Sequence, residues 1–207
     1  IHSNLIVQQR IAALRAVLER EQVTIITTMG GCMDHLVPPE ELKKNILRLR
    51  NDSVVEIEAM RLRLAAMGYE AVSQVEGTGQ FAVRGGIIDI FPLTEENPVR
   101  IELWGDEVDS IRSFDVESQR SIENLDTIAV YPASEVMADK KRIREAIARM
   151  EKDVKKPYGQ MRKEMKTEEA HRLKTLLEET KERMMEFQGA MGLDALVDYL
   201  YEKTVSF

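Results

Sequence analysis

Residues 80–92 read Gln-Phe-Ala-Val-Arg-Gly-Gly-Ile-Ile-Asp-Ile-Phe-Pro, and residues 99–115 read Val-Arg-Ile-Glu-Leu-Trp-Gly-Asp-Glu-Val-Asp-Ser-Ile-Arg-Ser-Phe-Asp. In the second stretch polar and apolar residues alternate from Val99 to Trp104. A strand there places Val99, Ile101 and Leu103 on a core face and Arg100, Glu102 and Trp104 on the other. Gln80–Arg84 alternates likewise and sets Arg84 on a polar face. Gly85-Gly86 permits a change of direction, and Gly86–Phe91 continues as an apolar run ended by Pro92. Gly105-Asp106 turns the chain into Glu107–Phe114, and Thr127–Tyr131 reads as a further short strand. The expectation is a small antiparallel sheet domain.

The polar face carries the chain's only tryptophan. Trp and Arg are the side chains most enriched where partners bind, because each joins a large contact area to a polar or charged group. The competing expectation is that helices cover both faces and Trp104 is ordinary core. Asp89 stands among Ile88, Ile90 and Phe91. No second acid, histidine or metal-ligand cluster accompanies it in sequence, so the reading is a strand carboxylate satisfied by a backbone amide or an arginine rather than a catalytic acid.

The chain has 207 residues, with 29 Lys and Arg against 36 Asp and Glu, a formal charge of −7. That balance argues against strong nonspecific nucleic-acid binding by the chain as a whole. A single cysteine, Cys32, rules out an internal disulfide and a cysteine zinc site; it reads as a small buried hydrophobe in a reducing cytoplasm. His2, His35 and His171 are dispersed. No apolar run is long enough to span a bilayer, and no signal-peptide pattern opens the chain. Its start at Ile1, in mid-pattern and without Met, suggests a piece of something longer.

Upstream of the sheet, Val7, Ile11, Leu14 and Leu18 are spaced as a helix, and Val23–Thr28 reads as a strand. Met33–Leu36 is a short helical piece broken at Pro38-Pro39. Ile46, Leu47 and Leu49 suit a strand, and Glu56–Met67 a helix stopped by Gly68. From Asp139 the composition turns to Lys, Arg, Glu and Met at helical period. Ile143, Ile147, Met150 and Val154 mark one helix, expected to break at Lys156-Pro157-Tyr158-Gly159. Leu173, Leu176, Leu177 and Met184 mark a second, and Gly189–Gly192 separates it from a third with Leu193, Leu196, Val197 and Leu200. Glu145 with Arg149, Glu168 with Arg172 and Glu179 with Arg183 have the order of supporting helix pairs. The basic stretches Lys140–Arg144 and Lys152–Lys156 raise the alternative of a DNA-binding arm, weakened by interleaved acids. Met161, Met165, Met184 and Met185 read as core filling.

A phosphate-binding loop needs close-approach glycines and a lysine. Gly30-Gly31 is followed by Cys32-Met33-Asp34 instead. Neither a nucleophile elbow nor an H-E-x-x-H helix is present. The chain reads as a non-catalytic interaction module, without cofactor or metal.

The blocks Arg84-Gly85-Gly86-Ile87-Ile88-Asp89-Ile90-Phe91-Pro92, Arg100-Ile101-Glu102-Leu103-Trp104-Gly105-Asp106-Glu107 and Phe114-Asp115-Val116-Glu117-Ser118-Gln119-Arg120 resemble the N-terminal module of the bacterial transcription-repair coupling factors (Mfd). A looser form occurs in UvrB. The resemblance implies an α/β (α+β) chain. Residues 1–69 are part of a degenerate UvrB-like α/β domain, 70–136 a β-rich UvrA-interaction domain, and 137–207 a charged helical segment returning to or inserted in the first. It implies recruitment of UvrA to lesions where RNA polymerase has stalled, in transcription-coupled nucleotide excision repair, with Arg84, Arg100 and Trp104 as the UvrA contacts. The position of Trp104 is commonly Phe in that family, and the tail after Met137 matches no block. The whole family member is expected to be an ATP- and magnesium-dependent translocase on double-stranded DNA that also engages RNA polymerase, in the bacterial cytoplasm, with its UvrA surface masked by a C-terminal domain. A fragment of a UvrB-like helicase lobe is the alternative. UvrB would keep an intact Walker motif upstream and a DNA-clamping hairpin, neither of which is found here.

Overall fold

The computed structural model describes residues 4–19, 22, 24–33, 35–134, 136–137, 140–164, 166–186, 196–201 and 205–206. The chain divides into two compact units, Ile1–Thr27 with Pro39–Met137, and Thr28–Pro38 with Ala138–Phe207. The expected boundary between residues 69 and 70 therefore falls within the first unit. No helix among the described residues is long and apolar enough to cross a membrane.

The first unit begins with α1 (Asn4–Leu18), followed after the excursion of residues 28–38 by α3 (Pro39–Asn45), β2 (Leu47–Arg50) and α4 (Ile57–Ala66). A six-stranded sheet follows, in the order β3 (Glu70–Ala71), β4 (Gln80–Arg84), β5 (Ile87–Ile90), β6 (Val99–Trp104), β7 (Glu107–Phe114) and β8 (Ser121–Leu125). All neighbours are antiparallel except β3 and β4. The Thr127–Tyr131 strand is observed as β9 (Thr127–Val130), but it pairs with β2 outside this sheet, from Leu47 opposite Val130 to Arg50 opposite Thr127. The sheet module thus extends back to Leu47.

Helix α4 shows how local chemistry sets an element. The Glu56 side chain accepts from the amides of Glu58 at 3.0 Å and Ala59 at 2.6 Å, satisfying N-terminal donors that have no partner within the helix. At the other end Gly68 takes φ 88°, and the amides of Gly68 and Tyr69 donate to the carbonyls of Ala65 and Leu64. That is a Schellman stop, which glycine adopts without a Cβ clash. Met60 and Leu64 of the helix join Leu49, Phe81, Ile88, Ile101 and Ile111 in the main core. Ile101 and Ile111 face each other across β6 and β7, fully buried as the alternation requires. A smaller cluster joins Ile11 of α1 to Ile46, Leu93 and Tyr131.

Two expectations fail upstream. Thr24–Thr28 forms no strand, and Ile26 is 93% exposed; β-branched composition without a partner edge leaves no ladder to satisfy the backbone. The helical piece lies earlier than expected, as α2 (Met29–Met33), and His35–Leu36 is a strand, β1, paired with β10 (Val205–Ser206).

In the second unit α5 (Lys140–Lys163) and α6 (Thr167–Glu186) pack together, with α7 (Val197–Leu200) against α5. Ile143, Ala146 and Met150 of α5 and Ala170, Thr180 and Met184 of α6 are buried. The expected break at Pro157 does not occur: α5 runs through it. Pro157 lies on an exposed part of the helix, where the carbonyl it leaves unpaired meets solvent, and the continuing contact with α6 offsets the lost bond. Arg149 donates to the Tyr199 carbonyl, which holds α7. Arg172 pairs with Glu168 as expected. The Gly189–Gly192 separator, Leu193, Asp139 and Met165 lie outside the described residues.

Candidate partner-binding face

The sheet's second face is built by the hairpins β4–β5 and β6–β7. Each has a two-residue turn whose first position is a glycine at positive φ, Gly85 at 59° and Gly105 at 63°. That conformation matches the strand twist and excludes a Cβ at little cost only for glycine. The register then puts both turns at one end of the sheet, because Ile87 lies opposite both Arg84 and Glu102. Gly86 meets the neighbouring strand closely: its carbonyl accepts the Leu103 amide at 2.8 Å, and a Cβ would stand 3.1 Å from the Leu103 carbonyl oxygen.

Arg84, Asp89, Arg100, Glu102, Arg112 and Trp104 all rise from this face. Trp104 is 83% exposed, so the reading of it as core is wrong. Asp89, opposite Arg100 in the β5–β6 ladder, is 1% exposed and collects both arginines. Arg84 Nη2 donates to Oδ2 at 2.5 Å, and Arg100 donates through Nε to Oδ1 at 2.7 Å and through Nη2 to Oδ2 at 2.9 Å. The bond to Asp89 is the largest cause of the Arg100 pKa being raised. Asp89 is thus the arginine-bound strand carboxylate expected from the sequence.

Arg100 has two further holders. Its Nη2 donates to Gln119 Oε1 at 3.0 Å, and its guanidinium lies 4.4 Å from the Phe114 ring centroid. Gln119 sits at φ 56° in a tight turn, its own amide nitrogen bound to the Val116 carbonyl at 2.8 Å. The Asp115 carboxylate accepts from the Ser118 amide and hydroxyl in that turn, and those two bonds lower its pKa. The Phe114–Arg120 block therefore orients Arg100. Sequence reasoning missed Phe114 and Gln119 as members of the site; the two-residue alternation that exposes Arg100 also puts Phe114 on its face, which was a usable signal.

Arg112 lies directly opposite Arg100 on β7, a like-charge pair that costs stability unless each cation has its own acid. Glu102 fills that need, accepting from Arg112 and from the Ser110 hydroxyl. Beside the charges Val75, Ala82 and Phe91 make a small apolar floor with Val72 and Val116. Among the described residues the arrangement leaves an exposed indole, a half-exposed Arg84 bonded through Nη2 to Asp89, and an Arg100 whose Nη1 has no partner. It suits recognition of an acceptor-bearing, partly apolar surface.

A concavity of about 390 Å³ in the same unit is lined by Glu19, Glu95, Glu96, Glu123, Arg15 and Tyr131, among others. Its Tyr131 hydroxyl donates to Glu19 at 2.6 Å; burial, then that bond, push the phenol up to about 12.

Comparison with known proteins agrees with this architecture. Residues 47–136 match the UvrB interaction domain family, over the span from β2 to the end of the sheet module. The chain is 33% identical over 198 residues to the transcription-repair-coupling factor of Bacillus subtilis (strain 168), an alignment covering 96% of this chain and 17% of that protein. It is 34% identical over 165 residues to the transcription-repair-coupling factor of Haemophilus influenzae, covering 76% of this chain and 14% of the relative. Against that of Staphylococcus epidermidis it is 34% identical over 199 residues, covering 96% and 16%. The chain thus spans about a sixth of the length of the curated relatives it matches. Residues 47–136 thus match the UvrB interaction domain family, and most of the chain is similar to one segment of the transcription-repair-coupling factors.

Proposed function

We propose that this chain is the non-catalytic module through which a transcription-repair coupling factor recruits UvrA to stalled RNA polymerase, and that Arg84, Arg100 and Trp104 carry the contact. The observation that supports it is the convergence of two arginines and an 83%-exposed tryptophan on one face of the segment that matches the UvrB interaction domain family. Arg100, braced by Asp89, Gln119 and Phe114, offers Nη1 in a fixed direction. Arg84 reaches from the hairpin rim, and Trp104 supplies apolar area. Because Asp89 offsets one of the two guanidinium charges, the face suits a sparse acidic patch on UvrA around an apolar socket. ATP, magnesium, RNA polymerase and double-stranded DNA belong in this reading to other domains of the full-length factor.

The test is calorimetric titration of the chain with UvrA of the same organism, beside an Arg84→Ala/Arg100→Ala/Trp104→Ala variant whose fold is verified by circular dichroism. Each central contact of this kind contributes about 1–4 kcal/mol, so the folded variant should show no measurable binding. Unchanged affinity would refute the assignment of the face.

A further inference from the structure

The charges of the helical unit, nearly balanced over the tail as a whole, are sorted between its helices. Helix α5 carries ten Lys and Arg residues against three acids, Glu145, Glu151 and Asp153. Its buried or half-buried aliphatic side chains are Ile143, Ala146, Ile147, Met150, Val154 and Met161. At 100° per residue the solvent side holds Lys141, Lys152, Lys155, Lys156 and Lys163, with Arg144 and Arg162 on its flank and the acid Glu145 within it, all exposed. Among the described residues Lys141 is the one of them with an acid within 4.0 Å, Glu145, whereas α6 pairs Arg172 with Glu168 and Lys181 with Glu178 and with Glu151 of α5.

This distribution is unfavourable for the helix itself. Its first turn contains no acid and places Lys141 near the positive end of the helix dipole. Lys141 with Arg144, and Lys152 with Lys155 and Lys156, are like charges at neighbouring helical positions. An external anion relieves both costs. A helix of this length presents its stripe along about 36 Å, close to one turn of duplex DNA, where phosphates follow one another at short regular intervals. The stripe has no exposed aromatic on which an unpaired base could stack, and no Asn or Gln beyond Gln160 to read base edges.

We infer that the solvent face of α5 is a sequence-independent contact for the phosphate backbone of duplex nucleic acid. It is separate in mechanism from the arginine–tryptophan face, and it stands whether or not that face binds UvrA. The chain's overall charge of −7 keeps the contact weak and confined to low salt.

Fluorescence anisotropy of a labelled DNA duplex of arbitrary sequence, titrated with the chain, tests it. Binding should appear at about 50 mM salt and weaken steeply toward 200 mM, with a log–log slope near −4 if four to five phosphates are met. A Lys152→Glu/Lys155→Glu/Arg162→Glu variant should abolish it, while Lys174→Glu on α6 should leave it within about twofold. Single strands of equal length should bind more weakly. The inference is overturned if the duplex does not bind at low salt, if the α5 variant binds as the parent does, if Lys174→Glu is equally damaging, or if polyglutamate matches the duplex in affinity and salt slope.

Discussion

Arg100 and Asp89 face each other across β6 and β5, and the arginine grips the buried carboxylate with two bonds of 2.7 and 2.9 Å. The residue proposed to bind a partner is therefore also a structural member of the sheet. Removing it leaves Asp89, 1% exposed, with Arg84 as its only arginine, and Arg84 is 44% exposed.

Arg100→Ala should accordingly lower stability by about 3 kcal/mol, the scale of breaking a buried pair. Arg84→Ala should cost no more than about 1 kcal/mol, the scale of an exposed pair. Urea unfolding of the two single variants checks the asymmetry, and equal costs would show that Arg84 is the main partner of Asp89.

Asp89→Asn adds positive charge to the face yet removes what aligns both guanidiniums. If alignment governs, affinity for UvrA should fall by roughly tenfold in the folded variant, because binding then includes the ordering of two long side chains. Tighter binding in the same titration would mean that charge alone matters.

Trp104, as the only tryptophan, is its own probe. Its emission should resemble that of indole in water and be readily quenched by acrylamide, and Trp104→Ala should change stability by less than about 0.5 kcal/mol, as for surface substitutions. A blue-shifted, protected emission in the free chain would contradict the 83% exposure.

Gly86→Ala should destabilise by about 1–3 kcal/mol, since the new methyl meets the Leu103 carbonyl at 3.1 Å and the β5–β6 ladder must shift. Gly85→Ala meets no atom but sits at φ 59°, and should cost about 1 kcal/mol. Denaturant midpoints separate the crowded glycine from the merely left-handed one.

The tyrosines give a pH signature. Burial raises Tyr69 far above the ordinary phenol value, and Tyr131 is pushed up from 10.0 to about 12. A folded-state value above the unfolded one means stability fully present below pH 10 and lost as pH rises toward 12. Absorbance at 295 nm should show these two phenols ionising above the ordinary phenol range, and Tyr131→Phe should reduce the alkaline loss of stability.

How far the sequence could be read follows from where its signals were local. Alternation placed β4 and β6 because each is half-buried, setting Arg84 on a polar face of one and Arg100 and Trp104 on the polar face of the other, and the Gly105-Asp106 turn announced β7. The pairing of β9 with β2 was not legible, since partner choice across 80 residues leaves no mark on either strand's pattern. Thr24–Thr28 misled because β-branched composition describes a preference and not a partner. Pro157 misled in the opposite sense: tertiary contact with α6 outweighed a local breaker. The Arg84–Asp89–Arg100 triad was half-visible, as an isolated strand acid and two arginines, but Gln119 arrives through a turn at φ 56° that no periodicity announces.

Site-directed photocrosslinking addresses the proposed UvrA face without relying on loss of binding. A benzophenone amino acid is placed at Trp104 on the face, and in a second protein at Leu176, an exposed apolar position on α6. Covalent capture of UvrA from position 104 and not from 176 is the expected result; capture from 176 with none from 104 would contradict the assignment.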